Sequence, residues 1–419
     1  MRVGCSDSLK FLLILSLVLL SFFSSSHAFE FKQSVSLEER YDSNLFLREE
    51  NEGDEISSSI TYEFLGFSKT RKLDFSIDSA IGYRSYTNDS IDPDYFGRMG
   101  VKSIYTFDQV GQYKWVVLNN LRQDLIDSDG AFISGNLEHK NKFSTGPRIN
   151  LSISQSSQLL VDFLYVDERT EDEDEYTVRK KGNAAVNKKF SDTHNFSINF
   201  SAEEASVHDT DPSQNKDFPI HQTAYLKFDN TKATNSYYLA VGGTALDSEW
   251  EPYAGLGWAR SLNSSNRISF DYLRDFNLDE EEVDDENLLD LNGEEFLDDR
   301  LKFTYEHDAA DISTFFSLTY RRKDFVNNTV EDQSYYGFRA EVRDYYSNRS
   351  MFDYYLHFTL SDKSNNNSEQ KDALLGTALT LIYSRGLNFV FRGEYDTRFD
   401  SNNNDFKNIS LFLLIRLSS

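Results

Sequence analysis

The chain has 419 residues, with 69 Asp and Glu against 43 Lys and Arg, and a net charge of −26. Such an acidic excess argues against nucleic acid as a partner, because phosphate backbones recruit cationic surfaces. A single cysteine excludes a disulfide framework and a thiolate metal site, and beyond residue 28 no stretch has the roughly 20 uncharged apolar residues of a membrane helix.

Residues 1–28 read as an export signal. Arg2 and Lys10 supply the positive start, residues 11–23 the apolar run, and Ser26-His27-Ala28 a small-residue cleavage site. The run is too short for a membrane anchor. Cys5 precedes it, whereas a lipoprotein's acylated cysteine would follow it. An exported chain that keeps no cysteine suits a bacterial envelope better than a eukaryotic secretory route.

From residue 29 onward one unit repeats: a segment with apolar side chains at every second position, then a polar break. Alternation of this kind is the signature of strands whose two faces meet different surroundings. Strands are predicted at 31–42, 56–66, 72–86, 95–108, 113–123, 136–153, 158–169, 175–190, 194–207 and 218–229. They continue at 236–247, 252–262, 267–276, 297–307, 312–325, 333–345, 351–361, 371–383, 387–399 and 405–417. That makes twenty, or eighteen if a blurred segment around 136–153 or 236–262 is not a strand.

The faces are consistent along the chain. Leu387, Phe389, Phe391, Tyr395 and Phe399 oppose Asn388, Arg392, Glu394, Asp396 and Arg398; Leu73, Phe75, Ile77, Ile81 and Tyr83 oppose Asp74, Asp78 and Arg84. A greasy face outside and a charged face inside is inverted for a barrel in water and correct for one in lipid, where closure leaves no unpaired edge. Tyr335, Tyr336, Tyr345, Tyr346, Tyr354 and Tyr355 crowd strand ends and are expected to form interfacial girdles.

The breaks alternate between short ones, such as 67–71, 109–112, 155–157 and 263–266, and longer acidic ones, such as 43–55, 124–135, 278–296 and 362–370. Outer-membrane barrels have short periplasmic turns, long external loops, an even strand number and both termini in the periplasm. A soluble sandwich would not alternate its loops so regularly, and no linker or composition shift divides residues 29–419. The expected fold is therefore an all-β, up-and-down antiparallel transmembrane barrel, preceded by a signal peptide.

The first hairpin carries a family resemblance. Ser36-Leu37-Glu38-Glu39-Arg40-Tyr41-Asp42-Ser43-Asn44-Leu45-Phe46-Leu47, followed by Asp54-Glu55-Ile56, resembles the opening of the outer-membrane β-barrel porins encoded with exopolysaccharide synthesis and export systems. Ser43-Asn44 stands at that family's aspartate-asparagine pair, with Asp42 one position earlier. The resemblance implies a barrel that assists passage or export of polysaccharide. The partners it brings are outer-membrane lipid and lipopolysaccharide, the polysaccharide with its export machinery, and the outer-membrane assembly machinery. One departure is the end of the chain: Ile415-Arg416-Leu417-Ser418-Ser419 lacks the aromatic terminus usual in such barrels, although Leu411, Leu413, Ile415 and Leu417 still alternate.

No nucleophile motif, phosphate-binding glycine loop or metal-spaced histidine pair is present, so neither catalysis nor a cofactor is expected. His357 with Asp353 leaves a barrel-borne hydrolase as one alternative, and a structural or adhesive barrel is another. The acidic run 279–299 offers oxygen ligands, with Asp284, Asp285 and Glu286 as weak metal candidates; a solvated loop is the plainer reading. The functional candidates are charges predicted to line the lumen: Arg84, Arg98, Lys102, Arg339, Glu341, Arg343, Arg392, Glu394, Asp396 and Arg398. They suit either a path for anionic solutes or ion-pair ladders that stiffen the wall.

Overall fold

A computed structural model gives the chain as one closed antiparallel sheet. It describes residues 29–45, 54–87, 91–125, 137–171, 176–208, 215–218, 220–246, 249–278, 295–325, 332–363, 368–384, 386–400 and 405–418. The segment 1–28 and the candidates Asp284, Asp285 and Glu286 lie outside the described residues.

The strands are β1 Phe29–Asp42, β2 Glu55–Lys69, β3 Leu73–Tyr86, β4 Asp94–Thr106, β5 Tyr113–Leu125, β6 Leu137–Ser154, β7 Ser157–Thr170, β8 Tyr176–Lys189, β9 His194–His208 and β10 Lys216–Asp217. The second half holds β11 His221–Thr231, β12 Asn235–Leu246, β13 Glu249–Ser261, β14 Asn266–Leu278, β15 Glu295–Asp308, β16 Ile312–Phe325, β17 Gln333–Ser347, β18 Ser350–Lys363, β19 Ser368–Ser384, β20 Leu387–Asp400 and β21 Phe406–Ser418. β10 is a two-residue bridge on β9, and β11 takes the next full place beside β9. The other twenty strands each pair with their successor, and β21 returns to β1 with Ser418 opposite Ser34 and Ser410 opposite Asp42. No long strand is left with a free edge, which is the condition for strands in hydrocarbon.

All twenty expected segments are strands, and the blurred ones are β6, β12 and β13. The differences are at boundaries. β2 runs on to Lys69, which shrinks the expected break at 67–71 to residues 70–72. Asp298 and Asp299, the tail of the acidic run, lie in β15. Short connections share one end of the barrel with Phe29 and Ser418, and their side chains fix the turns. Asn263 Oδ1 accepts from the Ser265 and Asn266 amides at 2.9 and 2.8 Å, and Thr70 Oγ1 accepts from Leu73 N at 3.0 Å. Asn and Thr are turn formers for this reason: the side chain imitates a backbone acceptor.

Directly paired residues share a face, so register transmits one face around the wall. Arg40 pairs with Phe412, Phe412 with Arg392, Arg392 with Ala378, Ala378 with Asp353 and Asp353 with Arg343. This face is concave, because side chains two strands apart meet on it. Tyr238 donates to Asp271 across β13 at 2.6 Å, and Arg416 donates to Glu63 across β1 at 2.5 Å. The convex face carries large apolar side chains in the open, Leu37 at 52%, Leu239 at 50% and Leu411 at 53% exposure among them. Between the two faces there is no second layer; Leu246 and Leu297 form the one buried apolar cluster among the described residues.

The girdle reading needs correction in the pairs Tyr335-Tyr336 and Tyr354-Tyr355. Tyr336 and Tyr354 are on the convex face and exposed. Tyr335 pairs with Arg321 and Tyr355 with Glu341, which places both on the concave face. Neighbours in a strand point to opposite sides, so a Tyr-Tyr pair cannot supply two girdle rings.

Candidate functional site

All ten candidate charges fall at concave-face register positions. Their contacts divide them. Arg339 Nε donates to Glu341 at 2.6 Å, Arg343 Nε to Asp353 at 2.5 Å, and Arg398 Nε to Asp372 at 2.7 Å. Arg392 stands 3.7 Å from Glu394, and Asp396 pairs in register with Leu374 and Asn408. The candidates in β17 and β20 other than Asp396 are thus engaged in ion pairs, within their own strands or with the next one. In the first half of the chain, Arg84 lies over the Phe96 ring at 4.9 Å, Arg98 keeps 64% of its side chain exposed 3.6 Å from Asp78, and Lys102 is exposed.

Arg98 and Lys102 have companions that alternation alone did not single out. Register places Lys114, Arg122, Lys140, Lys142 and Arg148 of β5 and β6 on the same concave face. Each was hidden by ambiguity: β5 mixes polar and apolar residues on both sides, β6 carries polar residues on both, and cross-strand pairing assigns their faces.

Tyrosines form a second feature of this wall. Tyr238 lies over Gly257 and reaches Asp271; Tyr355 lies over Gly376 and donates to Glu394. A Cβ at Gly257 would sit 2.0 Å from the Tyr238 ring and one at Gly376 would sit 2.1 Å from that of Tyr355. Glycine is required there because the ring occupies the space of a side chain. Tyr225 and Tyr253 stack on the same face with centroids 4.4 Å apart. These rings bind neighbouring strands together and give the wall flat apolar surfaces beside carboxylates.

A third feature closes the seam. Asp42, 1% exposed, accepts from Ser410 Oγ at 2.5 Å, Asn408 Nδ2 at 3.2 Å and Arg40 Nη2 at 2.9 Å. Asn408 Oδ1 in turn accepts from the Asn44 amide at 3.0 Å, and Ser43 exchanges backbone and side-chain bonds with Ile409. The stretch that carries the family resemblance is therefore the part of β1 that clasps the start of β21.

His357 and Asp353 are engaged separately: His357 Nε2 lies 3.4 Å from Glu341, and Asp353 accepts from Arg343. They are not brought together as an acid-base pair. Among the described residues no group of three or more His, Cys, Asp or Glu is placed to hold a metal ion.

No protein-family model matches the chain, and no curated protein matches its sequence. Solved structures do match its fold. The siderophore receptor PirA of Pseudomonas aeruginosa aligns with a TM-score of 0.56 at 8% identity, over 93% of this chain and 80% of that one. The FrpB iron transporter of Neisseria meningitidis aligns with a TM-score of 0.53 at 7% identity, over 93% and 81%. At such identities the likeness is one of fold.

Proposed function

We propose that this chain is an outer-membrane channel, its convex face in lipid and its concave face around a polar path. One observation carries the reading: a closed wall of twenty long strands with exposed large apolar side chains along its convex face and rows of charged side chains on its concave face. An apolar exterior of that extent is costly in water and is the normal solvent contact in a bilayer. Barrels of this strand number are wide enough for an aqueous interior. Short turns share one rim with Phe29 and Ser418, which supports reading that rim as periplasmic and the opposite one, facing lipopolysaccharide, as external. The outer-membrane assembly machinery is then the partner that inserts it.

The cargo is proposed from the first hairpin, whose resemblance to porins of exopolysaccharide systems points to export of a polysaccharide. Stacked tyrosines beside carboxylates on the concave face suit sugar rings, which offer both apolar faces and hydroxyls. Purified protein in a planar lipid bilayer should give discrete conductance steps. Electrically silent insertion would replace the channel by a structural barrel, and steps unaffected by any oligosaccharide would remove the cargo assignment while leaving the channel.

A further inference from the structure

The concave face of β4, β5 and β6 is cationic over most of its height. In β5 and β6, Lys114 stands directly opposite Arg148, and Arg122 directly opposite Lys140. Like charges in direct cross-strand register destabilise a sheet. Lys102 faces Ser76 and Leu118, and Lys142 faces Asn120.

Acidic neighbours flank this charge. Asp162 of β7 is 2.8 Å from Arg148, Glu138 is 3.3 Å from Lys140, Asp78 is 3.6 Å from Arg98, and Glu168 pairs in register with Lys142. The acidic residues at inner register positions of these three strands, Asp94, Asp124 and Glu138, are confined to the ends beside the longer loops. Below them, toward the short turns, the inward charges of the three strands are all basic. A column of one sign on the inner face, in a chain whose net charge is −26, sets up a local field that draws in a solute of the opposite sign.

The geometry points to a track for a polyanion: we infer that β4–β6 guide a chain-like solute carrying carboxylate, sulfate or phosphate groups along the barrel axis. From Arg122 to Lys114 the column spans eight residues of strand, roughly 25 Å at about 3.3 Å per residue. That length fits several anionic groups in succession and exceeds what one small anion needs. A low-dielectric wall focuses the field of such a column onto the path beside it. This inference rests on the channel reading and assigns its cargo a charge.

The test uses the full chain in detergent micelles and in planar bilayers, with dextran sulfate as probe and uncharged dextran of equal length as control. Wild-type protein should bind labelled dextran sulfate, more tightly as salt is lowered, and dextran sulfate should block conductance at concentrations where dextran does not. The triple variant Lys102→Gln, Lys114→Gln, Arg122→Gln should weaken binding and block by about tenfold or more at low salt. It should still fold, since it relieves two like-charge contacts, and heat-modifiable gel mobility verifies this. Unchanged binding and block in the folded triple variant overturns the track with the channel intact. Absent conductance with salt-sensitive binding lost in the variant overturns the channel and keeps the polyanion surface. Equal binding of both dextrans overturns the track outright.

Discussion

Replacing Asp42 by Ala tests whether the seam between β1 and β21 is held by its buried clasp. Asp42 is 1% exposed and Asn408 and Ser410 are each 4% exposed, so water cannot replace the lost acceptor. Each stranded donor costs about 1–3 kcal/mol. Asn408 Nδ2 retains Ser410 Oγ at 3.0 Å, which moderates the loss. Arg40 keeps 34% of its side chain exposed, so it regains solvent and adds at most about 1 kcal/mol. The sum is a loss of about 3 kcal/mol. Asp42→Asn keeps an acceptor and forfeits the charge, and should cost about half as much, because charge-assisted bonds are roughly twice as strong as neutral ones.

The assay is urea unfolding of the barrel reconstituted in lipid vesicles, followed by tryptophan fluorescence, together with the temperature at which the compact band disappears on a detergent gel. Combining Asp42→Ala with Asn408→Ala should give a coupling of about 1–2 kcal/mol. An Asp42→Ala barrel with the wild-type urea midpoint and slope would refute the reasoning, as would strict additivity with Asn408→Ala.

Other outcomes follow from the same wall. Gly376→Ala must push the Tyr355 ring off its seat and break its bond to Glu394, costing about 1–3 kcal/mol; in Tyr355→Ala, where the ring is gone, Gly376→Ala should cost distinctly less, and equal costs in both backgrounds would refute the contact. Arg398→Ala leaves Asp372 without its 2.7 Å donor; with Asp372 27% exposed, the expected loss is about 1–2 kcal/mol, with little change in reversal potential under a KCl gradient, whereas a large selectivity shift would make Arg398 part of the path. In the 107–112 turn, the Tyr113 amide foremost, outweighing desolvation, and then those of Gln112 and Val110 hold the Asp108 carboxyl below the usual range. Its stabilisation is present above the ordinary aspartate pKa of about 3.9 and is lost as pH falls through the lower folded value. The gap in urea midpoint between wild type and Asp108→Asn should therefore close on acidification; a gap independent of pH would count against the turn.

What could be read in the sequence was set by how strictly each segment alternates. In Leu387–Asp400 and Ser350–Lys363 aromatic and aliphatic residues, Val390, Met351 and Tyr355 apart, hold one parity, so strand and face were both legible, and Arg392, Glu394, Asp396 and Arg398 were assigned inward from parity alone. In Leu137–Ser154 the parity is blurred by polar residues on both sides. There the strand was legible and its face was not, which is why Lys140, Lys142 and Arg148 were missed. Ion pairing is a further step removed: Arg343 with Asp353 and Arg398 with Asp372 are joined across strands, and no local pattern states which carboxylate a given register brings opposite. The tyrosine-over-glycine contacts are invisible for the same reason, since Tyr355 and Gly376 are neighbours only through pairing.

The clasp shows why the one motif with a family resemblance stands at the closing seam. Every other long strand is paired with a neighbour in sequence, so turn chemistry helps to set its register; β1 and β21 are joined with Asp42 and Asn408 separated by 366 positions, and no turn specifies how they meet. A slip of one residue by either strand would throw that strand's side chains to the opposite face. Leu411, Leu413 and Leu417, now exposed on the convex face, would turn toward the polar interior, or the charge of Asp42 would be carried toward lipid. Apolar alternation resists a slip of one but tolerates a slip of two, which restores every face. Asp42, Asn44, Asn408 and Ser410 remove that degeneracy, because their bonds form at a single offset. The acidic-polar signature in the first hairpin is thus explained physically by closure, and it needs no contact with cargo to account for it.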